Sequence, residues 1–208
     1  MSERIKKKFK TKGKKLVTFT TGGDPDLNTS FEILETIINN GIDIIEIGMP
    51  FSDPMADGPT IQESSVRSLA NGTKINDVFE LVIDIRKFNN ETPIILMGYY
   101  NSIFNLGIDN FTAKCAETGV DGLIVVDLQP EEDSELLTKT KEKNIDLIRL
   151  LTPTTDQTRL NTILSNASGF LYYVTITGIT GQNSANLEDL KRSINTIKLS
   201  TKLPIVAG

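Results

Sequence analysis

Seven short runs of apolar, mostly β-branched residues recur along the chain and predict its strands. Each run has five or six residues, which is too short for a typical helix. Their apolar character is nearly continuous, as expected of strands that are buried on both faces of a parallel sheet. The runs are Leu16–Thr21, Ile42–Ile47, Pro93–Met97, Gly122–Val126, Ile145–Leu150, Phe170–Thr175 and Leu203–Ala207.

The segments between these runs carry apolar residues at helical spacing. One stripe follows a capping box formed by Thr29 and Glu32, and it ends at Gly41. Most intervals have the length of a βαβ unit, whereas the second interval is longer and has room for two helices. The three clearest stripes are Phe31, Leu34, Ile37 and Ile38; Val78, Leu81, Val82 and Ile85; and Leu187, Leu190, Ile194 and Ile197.

Alternating strands and helices predict an α/β fold, either a doubly wound sheet or a (β/α)8 TIM barrel. A dinucleotide-binding sheet would carry G-x-G-x-x-G after its first strand, and residues 20–25 read Thr-Thr-Gly-Gly-Asp-Pro. The pattern therefore favours one TIM-barrel domain over residues 1–208. A complete barrel has eight strands, so we expect this one to be truncated after the seventh strand.

Composition excludes several kinds of chemistry. The chain has no His and one Cys, so it cannot supply a Ser-His-Asp triad, a His-ligated metal or a disulfide framework. Proton transfer must then fall to carboxylates, Tyr, Lys or water. The chain is 24% charged with a mean hydropathy of −0.13, and no apolar run approaches a membrane span. Since no secretory signal precedes the first strand, we expect a cytoplasmic protein.

The net charge of −5 is unevenly distributed along the chain. Residues 1–15 hold eight basic side chains and one acidic side chain, which leaves 14 basic against 26 acidic residues in the remainder. Ile5 and Phe9 lie four residues apart, as on one face of a helix. We therefore predict a basic N-terminal amphipathic helix within residues 1–15, although a nucleic-acid-binding arm remains the alternative.

Two carboxylates near the end of the second predicted strand are candidates for acid–base chemistry. Glu46 interrupts an apolar strand and shares the side-chain direction of Ile44, which points it into the barrel. Burial there would raise its pKa, unless a basic residue pairs with it. Asp57 lies in the loop 49–59, where it is either a turn former beside Gly58 or a second carboxylate close to Glu46.

Further candidates follow other strands. Asp127 ends the fourth predicted strand, either as a cap for a helix from Glu131 or as a site residue. Tyr172 points inward from the sixth strand, either as a core aromatic or toward the site. The loop 177–181 is rich in small residues and has the composition of a lid or an anion-binding loop. We expect Cys115 to be a packed thiol within a helix.

Taken together, these motifs resemble the tryptophan synthase alpha chain family. The segment 46–62, EIGMPFSDPMADGPTIQ, resembles the family's signature. Shorter matches follow in order along the whole chain: Gly-Asp-Pro at 23–25, Tyr-Tyr-Asn at 99–101, Asp127 with Pro-Glu-Glu at 130–132, and Gly-Ile-Thr-Gly at 178–181.

The resemblance implies a TIM barrel that cleaves indole-3-glycerol phosphate to indole and glyceraldehyde 3-phosphate without a metal or a cofactor. Glu46 would be the general acid and base, and Asp57 would hydrogen-bond the indole N–H. Tyr172 would lie against the reacting centre. The remaining implied substrate contacts are Phe19 and Asp127 at the indole, Thr180 as a positioning residue for Asp57, and Gly181 and Gly208 at the phosphate.

The resemblance also implies a partner, the tryptophan synthase beta chain, in an alpha2beta2 assembly. The beta chain carries pyridoxal phosphate, and Asp53, Pro54 and Asn101 of this chain would face it. In the family the phosphate is held by the loops after strands six, seven and eight. Since the last of these has no counterpart before Gly208, we expect weak lyase activity from a truncated barrel.

Two alternatives stay open at this point. A different phosphate-binding barrel, such as indole-3-glycerol phosphate synthase or a phosphoribosyl isomerase, would place a catalytic Lys at a strand end. The predicted strands contain no Lys. A truncated, catalytically weak subunit that only binds the beta chain would keep Glu46 and Asp57, so these residues do not discriminate it from an active lyase.

Overall fold

A computed structural model describes residues 1–175 and 187–208 of the chain. Each apolar run predicted as a strand overlaps one, with ends that differ by a few residues, and the fifth run is divided at Ile148 into two short strands. Within the described residues, eight strands therefore arise from seven runs. They are β1 (Val17–Thr21), β2 (Ile44–Gly48), β3 (Ile94–Gly98), β4 (Gly122–Val125), β5 (Asp146–Leu147), β6 (Arg149–Leu151), β7 (Leu171–Tyr173) and β8 (Ile205–Ala207).

All of the strand pairs among the described residues are parallel, and within each sheet consecutive strands are paired. Strands β1 to β5 form one sheet in that order, and β6 to β8 form a second. The register sets Phe19 beside Glu46 and Glu46 beside Ile95. Sequential parallel strands with helices between them are the arrangement of a TIM barrel, so the predicted fold class is confirmed.

The helices differ from the prediction at several ends. The structure has α1 (Glu3–Lys10), α2 (Leu27–Asn39), α3 (Pro59–Ala70), α4 (Ile75–Phe88), α5 (Tyr100–Leu106), α6 (Ile108–Thr118), α7 (Ser134–Glu142), α8 (Gln157–Ser165) and α9 (Leu187–Ser200). The predicted capping box at Thr29 is wrong, because the Asp26 carboxylate caps α2 by accepting from the Thr29 N–H at 3.0 Å. The helix expected from Glu131 begins at Ser134.

The pair α3 and α4 occupies the long second interval, as predicted. The interval between β3 and β4 also holds two helices, α5 and α6, which periodicity did not indicate. They are separated at Gly107, whose positive φ of 83° ends one helix and starts the next.

The barrel interior is an apolar cluster that α1 closes at the amino-terminal end of the strands. Its members are Ile5 from α1 and Ile44, Ile95, Ile124, Ile148 and Phe170 from the barrel. The Phe9 ring of α1 lies 5.6 Å from the Phe170 ring, centroid to centroid. The basic residues of α1 are mostly exposed, which matches the predicted amphipathic helix. Within the described residues, no helix is both long and apolar enough to cross a membrane.

Asp121 connects helix α1 to the barrel. It is 2% exposed, and its carboxylate accepts from the Arg86 guanidinium of α4 at 2.8 Å and from Arg4 of α1 at 3.2 Å. The same carboxylate accepts the Ser2 hydroxyl at 2.5 Å and the Ile94 N–H at 2.9 Å. Three elements that are distant in sequence therefore depend on one buried carboxylate.

We predict that Asp121→Ala lowers the free energy of unfolding by about 3 kcal/mol, because it leaves the buried Arg86 guanidinium without its counter-charge. Urea unfolding monitored by circular dichroism measures the change. Asp84→Ala is the matched control, since Asp84 pairs with Lys87 at 2.6 Å on an exposed helix surface. An equal effect of the two substitutions would contradict the role assigned to Asp121.

Candidate active site

The predicted site residues gather where parallel strands end. Glu46 lies in β2, Tyr172 in β7 and Asp127 just beyond β4, while Asp57 lies in the loop that joins β2 to α3. Ile44 packs in the barrel interior, whereas Ile45 and Ile47 pack in the layer between barrel and helices. Glu46 shares the direction of Ile44, so its side chain points inward as predicted.

The Glu46 carboxyl is buried without compensation. It is 2% exposed, and Oε1 has no hydrogen-bond partner among the described residues. Burial raises the pKa of Glu46 to about 8, because the charged form loses its hydration. The alternative of a structural ion pair is not realised within the described residues, where no Lys or Arg forms a salt bridge to it. At neutral pH this carboxyl is mostly protonated and able to donate.

Tyr172 is the electrostatic neighbour of Glu46. Burial, followed by the nearby Glu46 charge, raises the pKa of Tyr172 to about 12. The phenol therefore stays protonated at any physiological pH. Since Tyr172 packs against the interior cluster, it contributes both an apolar ring and a hydroxyl to the same chamber.

Asp57 has a different environment. It is half-buried, and burial raises its pKa while a hydrogen bond from the Tyr99 hydroxyl opposes the rise. That hydroxyl donates to Asp57 Oδ2 at 3.0 Å and accepts the Ala56 N–H at 2.9 Å. The two carboxyls thus have different environments, because Glu46 is buried with no partner at Oε1 among the described residues, whereas Asp57 is half-buried and hydrogen-bonded. Such a difference can separate acid and base roles.

Tyr99 is the functional residue that sequence reasoning missed, since only its place in a family motif was noted. Its ring stacks on Phe51 with centroids 5.1 Å apart, so it clamps the loop by stacking as well as by hydrogen bonds. Burial raises the pKa of its hydroxyl well above the usual range. Two signals pointed to it: it follows β3 at the same end of the barrel, and it shares the direction of Met97.

A narrow, mostly apolar pocket borders Asp57, and one of its walls is Phe19, the register partner of Glu46. The Phe19 ring crosses Gly48, where an added Cβ would lie only 2.5 Å from the ring. Glycine at this position therefore allows the aromatic ring to form the pocket wall. The pocket is lined by Phe19, Thr21, Gly48, Met49, Phe51, Asp57, Ile61, Ser65, Met97, Gly98, Tyr99 and Val126. Its free volume is only about 20 Å³, enough for about one water molecule, and Asp57 is the charged side chain in its lining.

Other predicted residues lie around this pocket rather than in it. Asp127 is exposed, and its Oδ1 accepts the N–H of Tyr100 at 2.8 Å, which fixes the start of α5. It also borders a wider cleft of about 370 Å³ between β4 and β6. Asp127 does not cap the helix expected from Glu131, since its carboxylate bonds to the start of α5. Thr180 and Gly181 lie outside the described residues.

Gly208 lies against the site from the last strand. There is no room for a side chain there, because an added Cβ would overlap the Tyr172 hydroxyl. Its N–H donates to the Tyr173 carbonyl at 3.1 Å. A phosphate that bound this N–H would have to compete with that bond. Among the described residues, no group of His, Cys, Asp or Glu side chains is arranged to hold a metal ion.

The residues expected to face a partner lie on the same end of the barrel. Asp53 and Asn101 are exposed, and Pro54 is half-buried. Met55, in the same loop, is 80% exposed. Cys115 is buried within α6, as expected of a packed thiol.

Known proteins are similar to this chain in both sequence and fold. The family model of the tryptophan synthase alpha chain matches residues 5–208. The tryptophan synthase alpha chain of Zymomonas mobilis is 49% identical over 193 residues, which are 93% of this chain and 70% of that protein. The subunit alpha structure from Legionella pneumophila is 37% identical with a TM-score of 0.90, covering all of this chain and 78% of the other.

A third similar structure comes from the tryptophan synthase a2b2 complex of Pyrococcus furiosus. It is 36% identical with a TM-score of 0.86, and the match covers 93% of this chain and 77% of that chain. Sequence, fold and family model agree over almost the whole length described. This chain belongs to the tryptophan synthase alpha chain family.

Proposed function

We propose that this chain is a lyase that cleaves indole-3-glycerol phosphate to indole and glyceraldehyde 3-phosphate, a step of tryptophan biosynthesis. The observation that carries the proposal is Glu46, a buried carboxyl with no counter-charge among the described residues and a pKa raised to about 8, beside Phe19 of the apolar pocket. Such a group is suited to both donating and accepting a proton near neutral pH.

The reaction needs one proton to move within the substrate. The proton on the hydroxyl next to the ring leaves as that carbon becomes an aldehyde, and the indole C3 gains a proton as the carbon–carbon bond breaks. Starting protonated, Glu46 donates to C3, and the resulting carboxylate then takes the hydroxyl proton. The carboxyl returns to its initial state, so the cycle needs no other acid or base, no metal and no cofactor of this chain.

Asp57 stabilises the intermediate electrostatically. Protonation at C3 places positive charge on the indole nitrogen, and a carboxylate that accepts the N–H offsets this charge. The Tyr99 hydrogen bond keeps Asp57 oriented toward the pocket. Phe19 supplies an apolar wall for the indole, and Tyr172 lies next to Glu46 at the reacting carbon.

The remaining contacts that we propose follow from the family resemblance. Asp127 would border the indole pocket, and Thr180 would help to hold Asp57. Backbone N–H groups at Gly181 and Gly208 would bind the phosphate. We also propose a cytoplasmic location, because a charged phosphate ester does not cross a membrane unaided.

We propose the tryptophan synthase beta chain as the partner, in an alpha2beta2 assembly of the kind described for the Pyrococcus furiosus protein. The exposed loop with Asp53, Pro54 and Met55 and the exposed Asn101 support this surface. Pyridoxal phosphate would belong to the beta chain. Since Asp57 lies in the same loop, contact with a partner there would couple to the lyase site.

The substitution Glu46→Gln keeps the shape of the side chain but removes the titrating proton. The kcat for indole release from indole-3-glycerol phosphate, measured with and without a beta chain, should fall at least about 100-fold, with little change in KM. Glu80→Gln, on the exposed surface of α4, is the control. Normal turnover by Glu46→Gln would exclude it as the acid and base. Beta-chain activation by a wild-type chain without turnover would favour the binding-only subunit.

The raised pKa of Glu46 also predicts a pH dependence of stability. The pKa of Glu46 is raised from 4.5 to about 8 on folding, so the native state favours the protonated form. Its stabilising contribution is therefore complete below about pH 4.5 and is lost as the pH rises toward 8. Wild type should lose up to about 1.4 kcal/mol per pH unit in this window relative to Glu46→Gln. Urea unfolding at pH 5, 6.5 and 8 measures this difference, and parallel curves would refute the assigned pKa.

A further inference from the structure

Helix α3, which follows the Asp57 loop, packs through its polar face. Ser64, Ser65 and Ser68 are buried, and Ser68 is fully inaccessible, whereas Val66 is 63% exposed. An amphipathic helix normally buries its apolar face. In this helix the fully buried positions are serines, and the apolar Ile61 and Leu69 on the same face are only half-buried, so hydrogen bonds contribute to where the helix lies.

The polar face contacts the end of β1 and the loop after it. Ser68 Oγ donates to the Gly22 carbonyl at 2.7 Å, and Arg67 makes a bidentate pair with Asp24 at 2.8 Å. The Asn71 amide donates to the Pro25 carbonyl. With Ser64, these side chains are spaced i, i+3, i+4 and i+7 along one helix face.

The bond from β1 to this face has a defined direction. Ser64 Oγ lies 2.8 Å from the Ile61 carbonyl and 2.6 Å from Thr21 Oγ1, with both hydroxyls buried. Ser64 has one proton, and the carbonyl can only accept it. Thr21 must therefore donate to Ser64, so the hydroxyl of a barrel strand is the donor that holds the helix.

The start of α3 is in turn tied to Asp57. The Gln62 amide donates to the Asp57 carbonyl at 2.8 Å, and the Gln62 N–H donates to the Gly58 carbonyl at 3.0 Å. The Asp57 N–H donates to the Pro54 carbonyl at 3.0 Å. A shift of the first turns of α3 would thus move the Asp57 main chain, while Tyr99 constrains only its carboxylate and Ala56.

We propose that Thr21 and Ser64 are positioning residues for the lyase reaction, which fix Asp57 at the pocket through helix α3. The inference rests on the proposed function for its kinetic part. The two residues do not take part in proton transfer. Their effect is to hold helix α3, whose Gln62 is hydrogen-bonded to the Asp57 carbonyl, in one place on the barrel. Hydrogen bonds are directional and fix this position, whereas apolar contacts would allow the helix to slide.

The test compares two valine substitutions on the same strand. Thr21→Val removes the donor at nearly constant volume, and Thr18→Val removes a buried hydroxyl that has no partner among the described residues. We expect Thr21→Val to lower kcat about tenfold per folded molecule, with KM nearly unchanged. Thr21→Ser, which keeps the donor, should restore turnover, and Thr18→Val should behave like wild type.

Amide hydrogen exchange provides a readout that does not depend on turnover. The Ala56 and Asp57 amides should exchange faster in Thr21→Val, while the amides of β4 keep their protection. Ser64→Ala breaks the same bond from the helix side and should reproduce both effects, which covers the case in which Thr21→Val does not fold. Tyr99→Phe is a positive control for loosening at Ala56.

The outcomes separate the two proposals. If wild type shows no turnover but Thr21→Val and Ser64→Ala speed amide exchange at residues 56 and 57, the positioning of Asp57 through α3 is supported and the proposed function is wrong. If exchange and kcat in Thr21→Val and Ser64→Ala match those of Thr18→Val, the positioning proposal is wrong. It is equally wrong if Thr21→Ser fails to restore the loss.

Discussion

The burial of one carboxyl without a counter-charge is the constraint on which this site depends. Glu46 lies inside a barrel whose inward layer is mostly apolar, with the Tyr172 hydroxyl as a polar neighbour, and burial there raises its pKa. The helix α1 contributes from the opposite end, since Ile5 and Phe9 close the floor of the same cluster. The apolar cluster inside the barrel is thus built from α1 as well as from the strands.

The second carboxyl is controlled in another way. Asp57 lies on a loop, half-exposed, and its position depends on a few named hydrogen bonds from Tyr99, from Gln62 and, through α3, from Thr21. Burial raises the pKa of Asp57 as well, but the hydrogen bond from Tyr99 opposes that rise. The site therefore combines a carboxyl that has no hydrogen-bond partner at Oε1 among the described residues with one that is oriented by hydrogen bonds.

Sequence patterns predicted the parts of this arrangement that depend on periodicity. The strand runs and the inward direction of Glu46 follow from a period of two in apolar segments, and no packing knowledge is needed for them. The role of Tyr99 could not be read in this way, because it rests on a hydrogen bond to a residue 42 positions away. The cap at Asp26 was missed because a capping-box pattern at Thr29 competed with it.

Helix α3 shows a further limit of such patterns. Serines at 64 and 68 look like a solvated face, and Val66 looks like a buried one, yet the structure has the opposite. Periodicity reports which face is apolar, and it assumes that the apolar face is the buried one.

That assumption fails where a helix must be held at a fixed place beside a site. Apolar contacts are non-directional and tolerate sliding, whereas a donor such as Thr21 specifies one position to within a hydrogen-bond length. The reversed polarity of α3 is thus itself a sequence signal. Small hydroxyl residues at i and i+4 of a helix beside a candidate site, with an apolar residue between them, therefore indicate a helix that packs on the barrel through hydrogen bonds. Such a helix should not be interpreted first as a surface helix.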